Sequence, residues 1–151
     1  ELKRWPVERF ATLGRQLLQE YGFRIVLIGG KGEEHLASSV ASAMNGQVMD
    51  LSGKTTLGQL AAVLRKADIF IGNDSGPMHI ASACGTKVIG LFGPTSPQRF
   101  GPDGERCTGL RMEQNCPPCM RNECRRLNYR CIDQITVSDV MNIVRRMMAL
   151  V

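Results

Sequence analysis

The run Ile71-Gly72-Asn73-Asp74-Ser75-Gly76-Pro77-Met78-His79-Ile80-Ala81 concentrates the residues best suited to chemistry. Its apolar start and helical finish put the centre at the carboxyl end of a predicted strand, where ligands bind in open α/β sheets. Gly76 permits a close backbone approach, and Pro77 pre-sets a first helical turn. Unpaired N–H groups there, with the positive end of the helix dipole, suit a phosphate. Ser75 adds a hydroxyl, and His79, one turn on, can point back as donor or cation. The same residues also make an ordinary helix start, with Asp74 or Ser75 as cap and His79 half-buried. A carboxylate beside a pyrophosphate is unfavourable unless it is satisfied, so Asp74 is expected to hold the loop in shape.

Two more strand ends carry small, turn-forming residues. Gly29-Gly30-Lys31-Gly32-Glu33-Glu34 fits neither the dinucleotide fingerprint nor the P-loop. Glu33 or Glu34 could take a ribose hydroxyl, or simply favour a helix's first turn. Gly90-Leu91-Phe92-Gly93-Pro94-Thr95 ends another strand. Together the three ends outline a crevice. Five of the six cysteines, Cys107, Cys116, Cys119, Cys124 and Cys131, lie within 25 residues. The spacing from Cys116 to Cys131 is C-x₂-C-x₄-C-x₆-C, with one pair suited to zinc and the other spread too wide for a finger or ribbon. Reduced thiols are the preferred reading, and no metal ligand is assigned. Cys84 is expected in a helix's inner stripe, and Trp5 as a packing anchor.

These residues need elements to position them. Pro6 to Glu20 reads as a helix, residues 24–28 as a strand covered on both faces, and Glu33 to Met44 as a helix with Leu36, Val40 and Ala43 inward. Residues 47–51 form a weaker strand, and Leu57 to Lys66 a helix capped by Thr55 or Thr56. Strands at 68–71 and 87–92 flank a short helix at 77–84. Residues 94–131 are expected to be a long loop, and Thr136 to Leu150 a closing helix. Strands alternating with helices imply a parallel sheet with right-handed crossovers: a Rossmann-like α/β layer with helices on both faces. One domain, residues 1–151, is expected, including the Cys-rich loop 107–131.

Composition agrees. Of 151 residues 43% are hydrophobic and 22% charged, which excludes a disordered chain. No strictly apolar run is longer than Leu60 to Leu64, which is far short of the roughly 20 residues that span a bilayer. With no recognisable leader, a soluble cytoplasmic protein is expected. The net charge is +5, and residues 106–151 hold eight Arg or Lys against four Asp or Glu. That excess favours anionic partners: phosphates, nucleic acid or an anionic membrane surface.

Taken together the chain resembles the carboxy-terminal half of the lipopolysaccharide heptosyltransferases, glycosyltransferase family 9. The matching residues are Lys3-Arg4-Trp5-Pro6, Leu27-Ile28-Gly29-Gly30 with Glu33, Leu57 to Ala67, Asn73 to Ala81, Leu91-Phe92-Gly93-Pro94-Thr95 and the Cys116–Cys131 cluster. The resemblance implies the nucleotide-sugar half of a two-domain, inverting GT-B enzyme, with ADP-heptose as donor and a lipopolysaccharide core as acceptor. Lys3, Asp74, Ser75, Gly76 and His79 would then meet the diphosphate, Glu33 the ribose, and the stretch near Thr55 the adenine. The acceptor domain and the catalytic base are expected in a missing amino-terminal half, so this chain should bind donor without turnover. No cofactor and no nucleic acid are expected, and peripheral contact with the inner membrane is an open possibility. The rival reading is a Cys-cluster, Arg-rich nucleic-acid- or metal-binding module, since Arg111, Arg121, Arg125, Arg126 and Arg130 interleave with the cysteines. Aromatic residues make up only 5%, which leaves little for base stacking.

Overall fold

The computed structural model describes residues 2–112, 116–121, 124 and 129–149. The chain divides into two compact units, Pro6–Gln59 and Glu1–Trp5 with Leu60–Val151.

In Pro6–Gln59 the first helix is α1 (Val7–Tyr21), whose Ala11, Leu13 and Leu17 make a buried stripe. Gly22 stops it at φ +67°, a left-handed conformation open to glycine, with its N–H on Leu18 O at 2.9 Å. β1 (Ile25–Leu27) and β2 (Val48–Asp50) pair in parallel, Ile25 beside Val48, across the helix α2 (Glu34–Ala43). Ile25, Leu27 and Val48 pack on Ala11, Val40 and Met44. The opposite face is open, with Val26 40% and Met49 60% exposed. The expectation of a strand covered on both faces therefore fails for β1, because α1 and α2 both pack on its Ile25–Leu27 side. In α2, Val40 is buried and Leu36 half-buried, but Ala43, expected inward, is exposed at the last turn. α3 (Leu57–Leu64) is capped by Thr56, not Thr55. Thr56 Oγ1 accepts from Gln59 N–H, and Gln59 Oε1 accepts from Thr56 N–H at 2.9 Å, a reciprocal capping box.

The second unit holds a parallel three-stranded sheet of β3 (Ile69–Asn73), β4 (Lys87–Leu91) and β5 (Cys107–Leu110), with β4 central. Val88, Ile89 and Leu91 of β4 are fully buried, as a continuous apolar run requires. α4 (Gly76–Ala83) connects β3 to β4, and a short α5 (Pro97–Phe100) precedes β5. A 3₁₀ turn at Cys131–Gln134 leads to α6 (Val137–Ala149), which buries Val140, Met141, Ile143 and Val144. Lys87 Nζ donates to Met147 O in the last turn of α6 at 2.8 Å, a cation at the negative end of that helix. Cys84 is half-buried, its thiol on Ala61 O, instead of sitting deep in the core.

Part of the expected 94–131 loop is regular. β5 escapes a periodicity reading because Cys-Thr-Gly-Leu is short and does not alternate. Its register decides it: Val88 N–H donates to Arg106 O and Phe92 N–H to Leu110 O. Gly72, Gly90 and Gly109 stand side by side across the three strands. A Cβ at Gly90 would run into Met78 Sδ, and one at Gly109 would lie 2.6 Å from Pro97 Cβ. The glycine row thus lets Met78 of α4 and the start of α5 settle onto the sheet near its carboxyl edge.

Candidate functional site

The carboxyl end of β3 runs Asn73-Asp74-Ser75 into α4. Asp74 N–H donates to Leu91 O at 3.2 Å, which continues the β3–β4 ladder by one residue. Its carboxylate, only 8% exposed, receives two donors on one oxygen. Lys3 Nζ stands 2.8 Å from Asp74 Oδ2, and the hydroxyl of the buried Thr95 donates to the same atom at 2.7 Å. The two charges largely satisfy each other, yet Lys3 is half exposed and its ammonium keeps further N–H donors.

Lys3 does not sit there by its own ion pair alone. The three residues 3–5 are each fastened to the second unit. Arg130 donates to Arg4 O at 3.0 Å while its guanidinium pairs with Asp133 at 2.7 Å. Trp5 N–H donates to Asn73 Oδ1 at 2.9 Å. The Trp5 indole is fully buried and donates to Ile135 O at 2.8 Å, which makes the expected packing anchor a positioning device as well. Asn73 and Asp74, adjacent at the strand end, therefore hold alternate residues of one strap.

The helix start is bare of side-chain caps. Ser75 adopts an extended backbone with its hydroxyl on Asn73 O at 3.2 Å, and no side chain caps α4. The ordinary helix-start reading, with Asp74 or Ser75 as cap and His79 half-buried, holds only in position: Ser75 is the N-cap residue, but its side chain makes no cap hydrogen bond and His79 is not half-buried. Asp74 is spent on Lys3 and Thr95, Ser75 faces back to the strand, and His79 is exposed. Ser75 and Gly76 are exposed too, and Pro77 occupies the first turn. The arrangement offers an anion the positive end of an eight-residue helix, with the Lys3 ammonium held on Asp74 just before it.

Glu33 and Thr55 belong to the other unit. Glu33 Oε2 accepts from Gly30 N–H at 2.9 Å, and Glu34 Oε2 from Gly32 N–H at 2.7 Å, so both carboxylates shape the glycine turn after β1. That turn meets the one after β2 through Gly53 N–H on Gly29 O at 3.0 Å. Thr55 is half-buried beside the Thr56 cap. Below it, Asp50 accepts from the hydroxyl and N–H of Ser52, which hold its carboxyl below the usual carboxylate range, with Lys54 helping and slight burial opposing.

Cys116, Cys119, Cys124 and Cys131 line one small cavity with Leu2, Pro94, Arg111 and Tyr129. All are free thiols. Burial pushes the Cys131 thiol up, against the nearby Arg111 cation. Among the described residues no three His, Cys, Asp or Glu side chains could hold a metal ion. Arg111 spends its guanidinium on Gly93 O and Cys116 O, and Arg130 on Arg4 O and Asp133. Two of the five arginines of the rival module are thus structural; Arg125 and Arg126 lie outside the described residues. The module reading finds no support.

Sequence reasoning brought out Lys3, Asp74, Ser75, Gly76 and His79 but missed Asn73, Thr95 and the strap-holding part of Trp5. Their signal was present: a polar pair closing β3 and a threonine behind Gly93-Pro94. The comparisons fit this geometry. Residues 1–130 match glycosyltransferase family 9 (heptosyltransferase). Lipooligosaccharide heptosyltransferase 2 of Campylobacter jejuni serotype O:6 is 29% identical over 150 residues, covering 96% of this chain and 47% of that protein. The chain thus spans about half the length of that relative. Among solved structures, the family 9 glycosyl transferase from Veillonella parvula superposes with a TM-score of 0.85 at 27% identity, covering 99% of this chain and 43% of that one. E. coli heptosyltransferase WaaC with ADP gives 0.76 at 27% identity, covering 96% and 40%. The expected α/β fold, one half of a GT-B enzyme, agrees with both. With the strand-end loop, the lysine strap and a match over most of its length, the chain belongs to glycosyltransferase family 9.

Proposed function

We propose that the chain is the nucleotide-sugar half of an inverting heptosyltransferase, binding ADP-heptose or a close analogue for transfer to a lipopolysaccharide core. The observation that carries the reading is the Lys3–Asp74 pair beside the uncapped start of α4. The solved relative with ADP supports a nucleoside diphosphate as ligand.

In such a transfer an acceptor hydroxyl attacks the anomeric carbon as the bond to the β-phosphate oxygen breaks. Negative charge grows on the departing diphosphate. Lys3, the amides at Ser75 and Gly76, and His79 are the fixed donors assigned to it, each of a kind whose removal costs about 3–4 kcal/mol of barrier in well-studied sites. Asp74 holds Lys3 without repelling the phosphates, because its own charge is matched by the ammonium and the Thr95 hydroxyl. Glu33 is assigned to the ribose and the backbone near Thr55 to the adenine. The acceptor and the base that deprotonates it are assigned to a domain beyond these residues, so the chain alone should not transfer sugar.

No helix among the described residues is long and apolar enough to cross a membrane. The basic residues of 106–151 other than Arg111 and Arg130 are assigned a peripheral contact with anionic lipid at the cytoplasmic face; co-sedimentation with vesicles that ignored anionic lipid content would oppose it. For the donor reading, calorimetric titration of ADP and ADP-heptose into the chain and into His79→Ala is the test. Weaker binding by the variant is expected, and unchanged binding would remove the histidine from the site.

A further inference from the structure

Thr95 is assigned no contact with the donor above, yet its placement is specific. It is 2% exposed and spends its hydroxyl on Asp74 Oδ2, the oxygen that also takes Lys3 Nζ. The two donors differ in how well they are held. Lys3 is a long, half-exposed side chain with considerable rotamer freedom, so it cannot by itself fix where Asp74 points. Thr95 is short, β-branched and stiff. Its backbone run is pinned on both preceding residues: Arg111 Nε donates to Gly93 O at 3.0 Å, and Met120 N–H to Pro94 O at 3.0 Å. The order of constraint therefore runs from Thr95 to Asp74 to Lys3.

We infer that Thr95 is a positioning residue for the donor diphosphate: its buried hydroxyl aims Asp74 so that Lys3 presents its ammonium beside the start of α4. This inference rests on the donor-site reading. Thr95 touches no ligand itself; without its hydroxyl the carboxylate can swing with the lysine, and the cation loses its fixed address.

A double-mutant cycle on ADP affinity tests it. Thr95→Val keeps the shape and removes the donor, and is expected to weaken ADP binding by about two- to tenfold, the affinity equivalent of one hydrogen bond. Thr95→Ser restores the hydroxyl and should recover binding. In a Lys3→Ala background Thr95→Val should have a much smaller effect, because the group it positions is gone. A merely structural threonine would weaken binding by the same factor in both backgrounds, and that result, or no weakening at all, overturns the inference. Should Thr95→Val fail to fold, Thr95→Cys, with similar bulk and a weak donor, runs the same cycle. If the unaltered chain does not bind ADP, the donor reading fails; if it binds and Lys3→Ala weakens it while Thr95→Val does not, only the positioning role fails.

Discussion

Replacing Trp5 by Phe should separate the strap from the pocket it serves. The indole is fully buried and its N–H reaches Ile135 O at 2.8 Å, with Ile135 itself fully buried. Phe keeps a ring but removes that donor and its hydrogen bond to the Ile135 carbonyl. Losing the bond costs about 0.5–1.5 kcal/mol, and the smaller ring adds a cavity term of roughly 1 kcal/mol. A loss of about 1.5–2.5 kcal/mol corresponds to a drop in melting temperature of roughly 3–10 °C for a protein of this size. Circular dichroism is the assay, since Trp5 is the single tryptophan and its removal abolishes that fluorescence. The backbone N–H of residue 5 still reaches Asn73 in the variant, so ADP affinity should fall less than the stability does. A variant with an unchanged melting temperature would refute the claim that this hydrogen bond anchors residues 3–5.

Other outcomes follow from single contacts. Lys87→Met should cost about 0.5–1.5 kcal/mol in urea unfolding, through the lost bond to Met147 O at the end of α6. Asp50 is held below its ordinary range by Ser52, so its share of stability is present above the unfolded carboxylate pKa and is lost as pH falls through the folded one. Ser52→Ala should therefore lower stability near neutral pH and flatten its decline in acid, read from urea midpoints across that range. Iodoacetamide near pH 8 should label the exposed Cys124 faster than Cys131, whose thiol burial holds protonated; mass spectrometry of the digested protein would show the order.

What the sequence made legible were features set by local pattern. The stripe of α1, the unbroken apolar run of β4 and the Pro77 helix start each lie within a few residues, and each element stands near its expected place. Where burial depends on what lies opposite, local pattern misled: β1 looked like a strand sealed on both sides, but Val26 faces outward. β5 was illegible because its strand character comes from pairing with β4, not from its own residues. The site divides the same way. Asp74, Ser75, Gly76 and His79 are consecutive or one turn apart and could be read as a unit. Lys3 entered through family resemblance, since its partner is 71 residues away. Thr95 and Trp5 are visible in the sequence, but their partners, 21 and 130 residues away, are fixed only by the folded arrangement.

The central claim is that a nucleoside diphosphate seats at the start of α4. Amide chemical-shift mapping of the isotope-labelled chain during ADP titration tests it most directly. Saturable shifts are expected at Ser75, Gly76 and His79, with Lys3 moving alongside them. Shifts confined to the Cys116–Cys131 region, or none at the β3–α4 loop, would contradict it.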